Sequence, residues 1–233
     1  MEDNEYLSFN FWPAFTDLML AVVLILMLVI GGVQFSGINV KSIQEKQRQL
    51  AASLEDASTE MVPKGGVHEV RRRRTRELLY RLSVDPHDPM LQRIAFSDAL
   101  LFPIDNHKLR PEGRAALLRV GGAIQERLDD LVEIQIHGHA DPDPTSRFED
   151  NLDLASRRAN EVFRFLQTEA GIDPASHLMS ATSFAEFNPA QRARDKAYAR
   201  RDLERDNNSV AKRQLNRRIE LLLFYRKPAG SLR

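Results

Sequence analysis

The sequence predicts an α+β chain: a single N-terminal transmembrane helix, a helical linker, and a mixed α/β sandwich domain. Three observations predict it. Every residue from Leu18 to Ile30 is apolar. The stretch after it is polar and charged, with sparse apolar positions. Beyond Asp88, helix-period and strand-period segments alternate, the pattern of a sheet with helices packed on a face. A chain of 233 residues has room for one ordinary domain plus appendages.

The apolar segment extends outward through Phe9, Phe11, Trp12 and Phe15 and on to Val33 and Phe35. About 25 residues at ~1.5 Å each cross a ~30 Å hydrocarbon core. A cleaved signal peptide needs a basic start and a small-residue cleavage site. Here the start is acidic (Glu2, Asp3, Glu5) and the core is too long. Residues 11–35 are therefore expected as a retained transmembrane helix, preceded by a short tail over 1–10. Lys plus Arg equals Asp plus Glu at 33 each, so global charge points to no nucleic-acid partner. The absence of cysteine excludes disulfides and thiolate metal sites.

Residues 36–87 read as a helical linker. Ile38, Ile43, Leu50 and Leu54 among Lys, Gln and Glu suggest a polar helix and a short dimeric stalk, broken by Pro63, Gly65 and Gly66. A second, basic helix is expected at 67–82, with Val70, Leu78, Leu79 and Leu82 as its stripe and Arg71 to Arg74 on its solvated face. The compact domain is placed at 88–233. Ile94-Ala95-Phe96 and Leu100 to Phe102 look like strand. Pro111 opens a helix carrying Leu117, Val120 and Ile124. Val132, Ile134 and Ile136 alternate with Glu133, Gln135 and His137, as in a strand with one buried face. An Asp- and Pro-rich loop (141–150) leads to a helix from about Leu152 to Thr168, stopped near Gly171. Leu178 to Phe184 is a weak strand, 188–213 a charged excursion, and Ile219 to Tyr225 a closing strand.

Asp17 is the one ionisable side chain of the span. Such residues usually face a protein or water cavity and mark ion pathways. Desolvation raises a carboxyl pKa, as a proton carrier needs. The plainer alternative is an interfacial acid: Pro13 suits a first helical turn, leaving Asp17 about one turn inside, where the helix dipole favours a carboxylate.

In the C-terminal half stand Gly138-His139-Ala140-Asp141, then Asn151, then Leu154-Ala155-Ser156-Arg157-Arg158-Ala159, and finally Asn216-Arg217-Arg218-Ile219-Glu220. Over about 91–226 this resembles the OmpA/MotB-type peptidoglycan-binding family. The resemblance implies an OmpA-like fold whose Asp and Arg bind a diaminopimelate-containing stem peptide. Asp141 would meet the ammonium and Arg158 the carboxylate, with Asn151 and Leu154 shaping the pocket. A planar guanidinium suits a carboxylate, and a carboxylate accepts from an ammonium. Ala155 replaces the usual Ser, and Thr182-Ser183-Phe184-Ala185-Glu186 stands where the family has GxGE.

Trp12-Pro13-Ala14-Phe15-Thr16-Asp17-Leu18-Met19 resembles the start of a MotB-type stator helix. That resemblance implies a homodimer inside a ring of MotA-like membrane subunits, in a five-to-two complex, with Asp17 carrying the proton. With a short acidic tail and a compact length, the Trp12–Met19 start looks closer to the ZorB family, B subunits of the Zorya anti-phage motors, than to flagellar MotB. A flagellar-type stator and a passive cell-wall tether are the alternatives. The resemblance implies a single-pass protein of the bacterial inner membrane, with residues 1–10 as a short cytoplasmic tail and the C-terminal domain periplasmic. The positive-inside rule points the other way, because Lys41, Lys46, Arg48 and Arg71 to Arg74 all follow the span.

His137, His139, Asp141 and Asp143 alternate, and His-x-His can bind zinc. The strand enters a Pro-broken loop and no distant ligand set is evident, so no metal or other cofactor is expected. The acidic loop lacks EF-hand spacing for calcium. No nucleophile triad, P-loop or Rossmann fingerprint occurs, and no enzymatic activity is expected.

Overall fold

The computed structural model describes residues 12–193 and 197–227. The tail expected at 1–10 lies outside the described residues. The first helix, α1, runs Trp12–Ser53. Within it Trp12–Gly32 forms 21 residues long and apolar enough to cross a membrane, none of them buried. The described residues divide into two compact units, one ending at Ser42 and the other covering Ile43–Lys227.

The second unit is built on a seven-stranded sheet among the described residues. Its strands are β1 (Thr59–Lys64), β2 (Val67–Arg72), β3 (Leu78–Val84), β4 (Leu91–Ser97), β5 (Leu131–His139), β6 (Leu178–Ala185) and β7 (Arg218–Tyr225). The order is β1-β2-β3-β4-β7-β5-β6. Only β5 and β6 pair in parallel; the other neighbours are antiparallel. The parallel pair is joined by α4 (Asn151–Thr168), the crossover that parallel strands require. A short α2 (Asp98–Leu101) and α3 (Pro111–Gln125) precede β5, while α5 (Arg200–Arg205) and α6 (Val210–Asn216) precede β7.

The core lies between the helices and one face of the sheet. Ile94, Phe96, Ile134, Ile136, Leu221 and Leu223 meet Leu117, Val120, Val162 and Leu166 there. Proline begins α3, where its missing N–H costs nothing. Asp150 caps α4 by accepting from the Asp153 N–H at 2.8 Å. Gly138 allows β5 and α4 to meet closely, since a Cβ there would lie 2.3 Å from the Ala155 carbonyl oxygen.

Three sequence expectations change. The basic helix expected at 67–82 is instead β2 and part of β3. Gly65 and Gly66 both adopt positive φ, 58° and 81°, and close a two-residue hairpin between Lys64 and Val67. The arginine run is thus not a helix face: Arg71 pairs with Glu69 at 2.6 Å, and Arg73 donates to the Thr59 carbonyl at 3.0 Å. The apolar positions assigned to a dimeric stalk, Ile43, Leu50 and Leu54, are fully buried in the unit's own core. Gln47, on the same stripe, donates to the Pro89 carbonyl at 2.9 Å. Leu100 and Leu101, read as strand, belong to α2, because a short apolar run does not distinguish the two conformations.

Candidate ligand-binding cleft

The ends of four segments converge on one side of the domain. The bulge between Gly138 and His139 ends the regular β5–β6 pairing, and the Ala140 N–H returns to the Ala185 carbonyl at 2.8 Å. Ala185 holds a left-handed φ of 44° at this point. Bulges re-aim the chain, and here the next residue, Asp141, is carried into a cleft of about 580 Å³. The first turns of α4 deliver Asn151, Leu154 and Arg158 to the same cleft. All four sequence-derived site residues in this domain therefore line one space.

Their contacts divide them into two kinds. Asn151 acts as a clamp: its side-chain amide donates to the carbonyls of Asp141 and Asp143, at 3.0 and 3.2 Å. Leu154 is buried and supplies an apolar wall. Asp141 and Arg158 are buried charges, 4% and 3% exposed, and buried charges demand partners. Arg158 donates from Nε to the Asn106 carbonyl at 2.8 Å and pairs through Nη1 with Asp98 at 2.9 Å. Its guanidinium lies over the Phe102 ring, 5.1 Å from the centroid. Asp141 accepts from Arg217 Nη1.

Burial pushes the Asp98 carboxyl up to about 6 against the pull of Arg158 and Arg217. Burial raises Asp141 as well, with Arg217 opposing. It draws Arg158 below the usual guanidinium range, with Asp98 opposing. Among the charges lining the cleft, two acids and two arginines are thus paired crosswise, Arg158 with Asp98 and Arg217 with Asp141. The opposite rim is tied down by Asp105, which accepts from the Ser146 N–H at 3.0 Å and from the hydroxyls of Ser146 and Thr145.

Asp98, Phe102 and Arg217 were not singled out from sequence. Arg217 sits inside the quoted Asn216–Glu220 run, but nothing in that run reveals that it faces Asp141, 76 residues away. Asp98 carries no local signal at all, since it is one acid among many at a strand end.

His137, His139 and Glu220 bring ligand-capable atoms within 4.8 Å of one another. Glu220 is already held by Arg218 at 2.8 Å and Arg93 at 3.6 Å. Burial alone would raise its carboxyl, but Arg218 and His139 outweigh that and hold it well below the usual carboxylate range. His139 stacks flat on Phe184 at 5.3 Å, with burial holding its pKa down. Two guanidiniums against the same carboxylate oppose a cation there. Of the acidic loop, Asp143 faces Arg213 at 3.6 Å while Asp150 caps α4.

Asp17 belongs to the other unit. It is an exposed residue in the second turn of α1, after Pro13 in the first. Beside it the Thr16 hydroxyl donates to the Trp12 carbonyl at 2.7 Å.

Comparison with known proteins gives the domain its relatives. Residues 101–202 match the OmpA family. Outer membrane protein A of Bordetella avium is 37% identical over 86 residues, which is 37% of this chain and 42% of that protein. The chain thus matches less than half the length of that curated relative. A MotB-like protein from Desulfovibrio vulgaris shares the fold with a TM-score of 0.56 at 20% identity, over 82% of this chain and 99% of that one. The periplasmic domain of Helicobacter pylori MotB aligns with a TM-score of 0.53 at 21% identity, over 71% and 91%. The compact unit therefore carries an OmpA-like domain with MotB-like structural neighbours.

Proposed function

We propose that this chain is the B-type subunit of an ion-driven stator, in which an OmpA-like domain grips peptidoglycan while a single membrane helix relays protons. The observation that carries the reading is the pairing of buried Asp141 and buried Arg158 in one cleft of an OmpA-like domain. The diaminopimelate of a stem peptide presents an ammonium and a carboxylate on one carbon. Asp141 is the acceptor for the first and Arg158 the cation for the second, with Leu154 against the alkyl chain.

The membrane half rests on Asp17, the single acid within the apolar helix. In this reading two copies stand within a ring of MotA-like subunits in a five-to-two complex. The N-terminus is cytoplasmic and the domain periplasmic, across a bacterial inner membrane. The folding of Arg71 to Arg74 into the domain favours this orientation, since whole domains translocate largely regardless of their charge. The Trp12–Met19 start favours an anti-phage motor of the Zorya type over a flagellar stator. A passive cell-wall tether is the second reading, favoured by the place of Asp17 only two turns into α1.

Two measurements test these readings. Arg158→Ala should weaken co-sedimentation of the purified protein with peptidoglycan; undiminished pelleting would remove the assigned pocket. Asp17→Asn, at normal expression, should abolish phage protection and leave swimming unchanged. Protection that survives it leaves the tether, and lost swimming assigns the chain to flagella.

A further inference from the structure

Four charged side chains of the cleft, Asp98, Asp141, Arg158 and Arg217, already pair with one another. Asp98, at the start of α2, faces Arg158 from α4, and also Arg217 before β7, Asp141 after β5 and Arg110 before α3. The two close pairs, Arg158 with Asp98 and Asp141 with Arg217, leave Arg158 with Nη2 alone outside its bonds to Asp98 and Asn106. A ligand carboxylate approaching Arg158 meets a guanidinium already bonded through Nε and Nη1, and must share it with Asp98. An ammonium approaching Asp141 meets a carboxylate whose Oδ2 already accepts from Arg217.

We infer that a zwitterionic ligand enters this cleft by ion exchange, its ammonium replacing Arg217 on Asp141 and its carboxylate sharing Arg158 with Asp98. This rests on the reading of the cleft as a stem-peptide site. The zwitterion itself brings no net charge, but the Arg217 cation leaves as it binds, so the site is left one positive charge short. The two partners already in place differ. Arg217 is long and its side chain is 35% exposed, so it can turn to water. Asp98 is short and only 13% exposed, and it has no such exit. When the ligand carboxylate settles on Arg158, two carboxylates lie side by side in a desolvated space, and one of them takes a proton.

Asp98 is thus a specificity-determining and positioning residue: it makes binding consume a proton. Binding should tighten as pH falls from about 7.5 to about 6, by roughly fivefold for one linked proton that is partly taken up. A lone carboxylate or a lone amine should compete poorly, because either would leave one buried charge unpaired.

The test is titration calorimetry of the full chain in detergent with a soluble diaminopimelate muropeptide. Performed in two buffers of different ionisation enthalpy, it reads proton uptake on the unmodified protein. Uptake near pH 6.5 (about half a proton or more) supports exchange, and none overturns it. Asp98→Asn should bind tightly at neutral pH with the pH dependence lost; a retained pH slope overturns the assignment to Asp98. Arg217→Gln should tighten binding several-fold by removing the competitor; weaker binding makes Arg217 a ligand contact and also overturns exchange. A wild-type protein that binds no muropeptide at any pH removes the stem-peptide reading itself, whereas binding without proton uptake removes only the exchange.

Discussion

Replacing Gly138 by alanine should both loosen the domain and disable its cleft. The added Cβ would lie 2.3 Å from the Ala155 carbonyl oxygen, 3.0 Å from its carbon and 3.4 Å from the Ala159 Cβ. Backbone strain plays no part, since Gly138 is not among the residues with positive φ. Relief requires α4 to withdraw from β5 by about 1 Å, an overpacking penalty of about 3 kcal/mol at the upper end of the usual range. Arg158 rides on the next turn of α4. A shift of that size stretches its bonds to Asp98 and Asn106, now 2.9 and 2.8 Å, beyond hydrogen-bonding reach. Urea denaturation of the purified protein should show the loss of stability, and peptidoglycan pelleting should fall with it. Gly122→Ala is the internal control: its Cβ would meet nothing within 4 Å, and a glycine in a helix costs about 0.5–1 kcal/mol relative to alanine. If Gly138→Ala is as stable as wild type while Gly122→Ala stabilises, the close approach of β5 and α4 is not what fixes the site.

Asn151→Ala removes the clamp on the Asp141 and Asp143 carbonyls and should cost about 1–2 kcal/mol, with weaker pelleting and an unchanged circular dichroism spectrum; full binding would refute the clamp. Leu50→Ala, at a fully buried position near the end of α1, should cost about 2–5 kcal/mol; a change in oligomeric state alone would restore the stalk reading. Glu220→Ala strips a carboxylate from between Arg93, Arg218 and His139 and should cost about 3–5 kcal/mol. Because its folded pKa is depressed, the Glu220 contribution is present above the unfolded value of 4.5 and is lost as pH falls below it. The buried neutral His139 adds a loss below 6.5, whereas the raised Asp98 favours the folded state as pH falls through about 6. A stability–pH profile of Glu220→Ala should therefore lack the steep acid limb of the wild type; an identical limb would refute the assignment.

Much of the second half was legible because its periodicities are clean. The alternation of Val132 to His137 marks β5, and the stripe through Leu154, Val162 and Leu166 marks α4. The segment from 67 to 82 was not, because Val70, Leu78, Leu79 and Leu82 fit a helical stripe as well as a sheet face. The readable cue is Gly65-Gly66 between two β-capable runs, which is a hairpin signal as well as a helix break. That extension carries Glu69, which binds Arg71 on its own strand and Arg81 across on β3, and the second pairing is announced by no local pattern. The same limit applies in the cleft. Asp141 and Arg158 stand in motifs, but Asp98 and Arg217 acquire meaning only when distant segments meet.

The hairpin extension also decides how the sheet ends. β1 is an outer strand and carries Pro63, which has no N–H to offer, together with charged Glu60 and Lys64. Edge strands of this composition resist recruitment of a further strand from another molecule. The other margin, β6, has no proline and exposes Leu178. Lateral growth of the sheet, whether as productive pairing of two copies or as aggregation during folding, is thus confined to one side. That side is the one next to β5, the strand that leads into Asp141.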